Sequence, residues 1–231
     1  MSRNRNDLLQ YETDKYDLLH TEKGFGKDPD RTKPKDYMTE EMDNPEFSKF
    51  YLDMLTDLDS ILEIGTGPGT TMKWMKDDYN LDVHGIDISS EMINYVKELF
   101  PEFSKTAVVG SAHQLPYSDN YFDIVQHLDG MEHIPVEWEE EALKESIRVT
   151  KKYVVHSDAC QDASADRWAE QLGFDAAHVN VKSPEEWNKF YSKYQDEFGY
   201  KIVKEWAHKV YEHSNGHGDY VYNVILEIIS E

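Results

Sequence analysis

An α/β fold built on a mainly parallel sheet is predicted by three observations. Short apolar runs alternate with helical stretches of about 10–13 residues between positions 60 and 157, as in βαβ units with right-handed crossovers. A Gly-Pro-Gly turn, Gly67-Pro68-Gly69, joins the first of those runs to the first of those helices. With 231 residues, of which 39% are hydrophobic and 13% aromatic, the chain has material for a substantial core and reads as folded rather than disordered.

In chain order, residues 7–20 predict a short helix. Residues 21–36, interrupted by Gly24, Gly26, Pro29 and Pro34, read either as a loop folding over a ligand or as a partly disordered tail. Residues 45–55 predict a helix with Phe47, Phe50, Tyr51 and Met54 on one face. Residues 61–64 predict a strand that ends in glycines, and residues 70–79 a helix. A second strand follows over 82–88, then a helix over 90–100 stopped by Pro101. Residues 106–110 and 121–128 predict the third and fourth strands, 137–149 a helix, and 153–157 a fifth strand.

The last third departs from this alternation. A helix is possible at 165–172, and residues 184–198 are helical and rich in aromatics. Residues 199–207 and 220–229 predict two closing strands. The turn-like Ser214-Asn215-Gly216-His217-Gly218 between them makes an antiparallel hairpin at one sheet edge.

The formal charge is −22 and the sequence pI about 4.7. Nucleic-acid affinity rests on Lys and Arg releasing counterions, so such a surface argues against nucleic acid and anionic membrane as partners. The single cysteine, Cys160, excludes an intrachain disulfide. No apolar h-region follows the amino terminus, and no apolar run approaches the roughly 20 residues that span a bilayer. A cytoplasmic setting is the expectation.

The strongest local signal is Glu63-Ile64-Gly65-Thr66-Gly67-Pro68-Gly69-Thr70 between a strand and a helix. Glycines there allow a sharp turn and bring a ligand close to the helix amino end. The dinucleotide pattern Gly-x-Gly-x-x-Gly requires glycine at position 70, where this chain has Thr70, and Pro68 has no N–H to offer a pyrophosphate.

This turn resembles motif I of the class I S-adenosylmethionine-dependent methyltransferases, in the type 11/25-like group. The resemblance continues in Asp87, 22 residues after Gly65, and in Gly110-Ser111-Ala112-His113-Gln114-Leu115-Pro116-Tyr117. It continues again in Asn120-Tyr121-Phe122-Asp123-Ile124-Val125, followed by Met131-Glu132-His133-Ile134. Four motifs thus stand in family order across residues 61–157.

What the resemblance implies is a Rossmann-like, doubly wound, seven-stranded sheet, mostly parallel with one antiparallel strand and helices on both faces. It also implies S-adenosylmethionine as cofactor and methyl transfer to a small-molecule or glycan-like acceptor. Glu63, Gly65, Thr66 and Gly67 would surround the methionine moiety and ribose. Asp87 and Ile88 would flank ribose and adenine, Ser111 and Ala112 the adenine edge, and His127 would line the cofactor near the sulfonium. Ser111 stands where many relatives carry aspartate, and a neutral acceptor of the adenine amino group is the weaker one. One domain, 1–231, is expected, with 1–50 as a helical cap, 58–157 as the cofactor-binding core and 158–231 on the acceptor side.

No catalytic residue is assigned, although His133 and His178 are candidate bases for a hydroxyl acceptor. His178-Val179-Asn180-Val181-Lys182 resembles an acceptor-side stretch in some of these enzymes, and equally a loop closed by a Ser183 helix cap with Pro184 at the first helical position. His213 and His217, with Asp219, have ligand-like types but lie in a turn, so no metal is assigned. Glu137, Glu139, Glu140 and Glu141 read as a solvated first helical turn favoured by the macrodipole. Trp187, Phe190, Tyr191 and Tyr194 read as core, with an aromatic acceptor pocket as the sharper alternative. A nicotinamide-dependent oxidoreductase and a catalytically silent S-adenosylmethionine-binding protein are the competing functions.

Overall fold

The computed structural model describes residues 5–19, 45–160, 178–212 and 218–229. The loop at 21–36, the possible helix at 165–172, the 214–217 turn, and the side chains of His213, His217 and Asp219 lie outside the described residues. In chain order the elements are α1 (Arg5–Leu19), α2 (Pro45–Met54), β1 (Ser60–Ile64), α3 (Thr70–Tyr79), β2 (Asp82–Asp87), α4 (Ser90–Leu99) and β3 (Ala107–Val109). Then come β4 (Phe122–Leu128), α5 (Glu139–Val149), β5 (Thr150–Cys160), α6 (Pro184–Lys193), α7 (Gln195–Phe198), β6 (Tyr200–Glu212) and β7 (Gly218–Ile228).

The strands form one seven-stranded sheet in the order β3-β2-β1-β4-β5-β7-β6. The pairs β1–β2, β2–β3 and β4–β5 are parallel, and β7 is antiparallel to both of its neighbours, β5 and β6. This is the Rossmann-like class that the alternation and the resemblance imply. The described residues divide into two compact units, those within 1–111 and those within 112–231.

In the first unit, Ile61, Leu62 and Ile64 of β1 and Val83 and Ile86 of β2 are buried. Met72 and Met75 of α3 and Met92, Ile93 and Val96 of α4 are the buried residues of their helices. Helix α4 starts at Ser89, whose side chain accepts from the Met92 amide, and stops at Phe100 because Pro101 follows. Helix α3 ends at Asn80 in the left-handed region, with the Asn80 N–H donating to the Lys76 carbonyl. The face predicted for α2 is corrected. Tyr51 and Leu52 are buried, whereas Phe50 and Met54 are exposed.

In the second unit, β5 extends well beyond the predicted 153–157. Tyr153–Cys160 pair in unbroken register with Tyr220–Glu227 of β7, so the hairpin partner lengthens the strand. The predicted 184–198 helix breaks at Tyr194 (φ −102°, ψ 3°) into α6 and α7. A 3₁₀ turn at Val136–Trp138 precedes α5, which leaves Glu137 outside the first turn held by Glu139, Glu140 and Glu141.

Candidate functional site

In the first unit the carboxyl ends of β1 and β2 carry a cradle built largely from backbone. Gly65, Gly67 and Gly69 have φ of 71°, 48° and 77°, a region that L side chains rarely adopt. The Gly65 and Thr66 amides donate to the Ile86 carbonyl at 2.8 and 3.3 Å, which fastens the turn to the end of β2. A Cβ on Gly67 meets nothing within 4 Å, so bare backbone faces open space there. Gly69 is closed in, since its Cβ would stand 2.9 Å from Val96.

Asp87 completes the cradle. One carboxylate oxygen accepts from the Gly67 amide at 3.0 Å and the other from the Ser89 amide at 2.8 Å. Each oxygen keeps a further lone pair, the geometry needed to accept from two vicinal hydroxyls. Burial raises the Asp87 carboxyl to about 6, opposed by the Ser89 and Gly67 N–H groups, with Asp17 adding to the rise. Asp17 on α1 accepts from the Ser89 and Ser90 hydroxyls, which anchors the N-terminal helix to the start of α4. Glu63 is buried at the end of β1, opposite Gly85 of β2. Ile88 directly follows Asp87, and Ser111 follows β3 after Gly110, whose amide donates to the Asp87 carbonyl at 2.9 Å.

Gly85 was not singled out by its sequence context, yet a Cβ there would lie 2.3 Å from Thr66 Cγ2 and 2.5 Å from the Met72 sulfur. An apolar strand with a lone mid-strand glycine is the signal that marks it.

Ala112 and His127 belong to the second unit. Ala112 is buried at the start of the turn that leads to Leu115. Two residues of α5 hold that loop. Glu145 accepts from the Leu115 amide at 2.8 Å, and Arg148 donates to the carbonyls of Tyr117 (2.8 Å) and Leu115 (3.1 Å) while pairing with Glu145 and Asp119. Their spacing alone reads as an ordinary exposed pair, so sequence missed them.

His127, near the end of β4, is 4% exposed, and its Nδ1 has no hydrogen-bond partner among the described residues. Its ring packs edge-on to His156 at 5.6 Å, and a Cβ on Gly130 would stand 2.0 Å from it. Burial, then the neighbouring His156, hold His127 well below the ordinary histidine range, and burial alone takes His156 down to about 3. Both rings are therefore neutral at pH 7. A neutral ring tolerates a sulfonium beside it, whereas an imidazolium would repel one.

Beyond β4 and β5, Tyr191 of α6 joins buried groups together. Its hydroxyl donates to Asp158 at 2.5 Å and lies 2.9 Å from His156 Nδ1. Burial lifts Asp158 to about 7 and lifts Glu132 well above the usual carboxylate range, with Asp129 and Asp158 adding to the latter. Trp187, Phe190, Tyr191 and Tyr194 are all buried, as the core assignment expects. The Ser183 capping box forms, with Pro184 in the first turn.

The solvated-face expectation for the glutamates is corrected for Glu139, which is half-buried, pairs with Lys182 at 2.6 Å and accepts from Asn180 at 2.8 Å; Glu140 is exposed as expected and also accepts from the Tyr194 hydroxyl at 2.6 Å.

A glycine turn tied to an acidic residue at the tip of the adjacent strand thus stands on a seven-stranded Rossmann-like sheet. Residues 61–153 match the family described as "Methyltransferase domain", in keeping with the resemblance to the class I S-adenosylmethionine-dependent methyltransferases. S-Adenosylmethionine is the cofactor of that domain, and the open backbone at Gly67 with the lone pairs of Asp87 fits its ribose.

Over 79 residues the chain is 34% identical to phosphoethanolamine N-methyltransferase 2 of Caenorhabditis elegans, covering 33% of this chain and 18% of that protein. Over 103 residues it is 31% identical to 2-methyl-6-phytyl-1,4-hydroquinone methyltransferase of Synechocystis, covering 43% and 31% respectively. The chain thus spans less than a third of these curated relatives. A solved S-adenosylmethionine-dependent methyltransferase from Methanosarcina mazei superposes with a TM-score of 0.61 at 18% identity, over 79% of this chain and 98% of that one, a likeness of fold. Among the described residues no helix is long and apolar enough to cross a membrane.

Proposed function

We propose that the chain is a single S-adenosylmethionine-dependent methyltransferase domain that acts on a small-molecule or glycan-like acceptor. The observation that carries this is the Asp87 carboxylate held between the Gly67 and Ser89 amides, beside open backbone. Glu63, Gly65, Thr66 and Gly67 hold the methionine moiety and ribose, Asp87 and Ile88 the ribose and adenine, and Ser111 and Ala112 the adenine edge. The ring of His127 lines the sulfonium. The curated relatives' names speak of a phosphoethanolamine and a hydroquinone, both small acceptors.

When bound, the cofactor would supply an electrophilic methyl group on a sulfonium, which departs as a neutral thioether once an acceptor lone pair has taken the methyl. The chain's contribution is to hold donor and acceptor in line and to exclude water, which is worth several kcal/mol of the barrier. A neutral amine needs no base; a hydroxyl acceptor needs its proton removed.

Titration calorimetry with S-adenosylmethionine, S-adenosylhomocysteine and NADH, followed by transfer of tritiated methyl to a panel of amines, phenols and sugars, tests this. Binding of the first two ligands with incorporation into one acceptor class is the expected result. Heat with NADH alone points to the oxidoreductase. Tight S-adenosylhomocysteine binding without transfer to any acceptor points to the silent binder.

A further inference from the structure

His133 and His178 are 45 positions apart in the chain, yet the fold brings them together beside a buried acid. Glu132, His133 and His178 each offer one donor atom, and the three atoms all lie within 4.8 Å of one another. The two imidazole centroids are 4.6 Å apart. The segment that carries His178 is fastened there by backbone, with the Asn180 amide donating to the Glu132 carbonyl at 3.0 Å and its side chain reaching the Met131 carbonyl.

Glu132 is 0% exposed; one of its oxygens accepts from the Ala159 amide at 3.1 Å, and Oε2 is buried with no hydrogen-bond partner among the described residues. Such a buried acid stays protonated unless it is paired or bound to a metal, because an uncompensated buried charge is costly. The neighbouring charges that act on Glu132 are those of Asp129 and Asp158, both of its own sign. The ammonium of Lys182 is turned to Glu139 and Asn180. Asp129, which opens the turn, is an exposed residue at φ 45° whose amide donates to the Ser157 carbonyl at 2.7 Å.

We propose that Glu132, His133 and His178 form a binding site for a divalent cation of the borderline class, Zn²⁺ above all. Imidazole nitrogen with carboxylate oxygen is the donor set such ions take. Donors around a tetrahedral ion with bonds of about 2.1 Å lie roughly 3.4 Å apart, so side-chain rotation closes the present separations. Three protein donors leave coordination positions open to water or to an oxygen ligand. The site lies wholly within the second unit and does not depend on the methyl-transfer proposal.

Untagged protein stripped with chelator and dialysed against Zn²⁺ is expected to retain one ion per chain by elemental mass spectrometry. Glu132→Gln and His178→Ala, each checked for native circular dichroism, are expected to weaken retention by roughly tenfold or more. For a test that needs no variant, Co²⁺ added to the wild type is expected to give visible bands unlike those of the hydrated ion. Acetohydroxamate is expected to shift those bands through the open positions. Wild-type protein that retains no ion, folded variants that retain it at full affinity, or a Co²⁺ spectrum matching the hydrated ion would each overturn the proposal.

Discussion

The two units build their polar sites by different means. In the first, three left-handed glycines and one carboxylate make the cradle, and the two carboxylate contacts join residues 20 and 2 positions apart in the chain. In the second, buried side chains from β4, β5, α6 and the 178–183 segment meet, and the spacing of their residues says little about who meets whom. A backbone cradle serves an invariant ligand, because only glycine geometry and one acid need be kept. A side-chain cluster adapts to varied ligands, at the cost of burying groups that must find partners.

That contrast is broken most directly at Asp87. Asp87→Ala removes two backbone-anchored acceptor oxygens and the bonds they would make to a ribose. Losing charge-assisted hydrogen bonds of about 1.5–3 kcal/mol each predicts a fall in S-adenosylmethionine affinity of about 100-fold or more by calorimetry. Affinity equal to the wild type would remove the carboxylate from the nucleoside site. Second in size is Tyr191→Phe in the other unit. It deletes the hydroxyl shared by Asp158 and His156, two groups 0% exposed. Stranding a buried carboxylate predicts a loss of about 2 kcal/mol in urea unfolding. An unchanged denaturation midpoint would mean that the buried cluster does not rely on Tyr191.

The same contrast explains what the sequence disclosed. The βα alternation, the glycine turn and Asp87 are local signals, so the elements from β1 to β4 and the nucleoside cradle were legible, to within two residues at their ends. The face of α2 was not, because an apolar stripe on a short helix does not say which residues meet the rest of the fold; Phe50 and Met54 face outward. The length of β5 was hidden because it is set by a partner strand about 65 residues later. His133 and His178 were each visible as histidines, but only the Asn180–Glu132 hydrogen bond makes them neighbours. Spacing drew attention instead to His213 and His217. The Arg148–Glu145 clasp on the 115–117 loop has the spacing of any exposed i,i+3 pair, and tertiary contact alone reveals it.

A third, smaller effect comes from pH. Burial raises Asp87 to about 6 from an unfolded value of 3.8. This is a raised carboxylate, so its contribution to the stability of the free protein is present below the unfolded value and is lost as pH rises through 6. Ligand hydroxyls donate to the ionised form, so the dependence of binding has the opposite sign. Affinity for S-adenosylmethionine is expected to be flat above about pH 7 and to fall up to tenfold per unit below 6. Asp87→Asn, measured over the same range, should show no such inflection. If the variant keeps it, another group carries the titration.

The smallest expected effect sharpens the comparison from the other side. Ser183 caps α6, accepting from the Glu186 amide while Glu186 returns a bond to the Ser183 amide. Ser183→Ala removes one half of that box and should cost about 1 kcal/mol in thermal or urea unfolding. Helix α6 carries Tyr191 and follows directly on the 178–182 segment, so the loss falls on the second unit's cluster. Affinity for S-adenosylmethionine should stay within twofold of the wild type, because the first unit closes its cradle with its own backbone and with Asp87. If this substitution weakens the nucleoside as much as it weakens the fold, the cradle depends on α6, and a division of labour between a local backbone site and a long-range side-chain site is the wrong description of this protein.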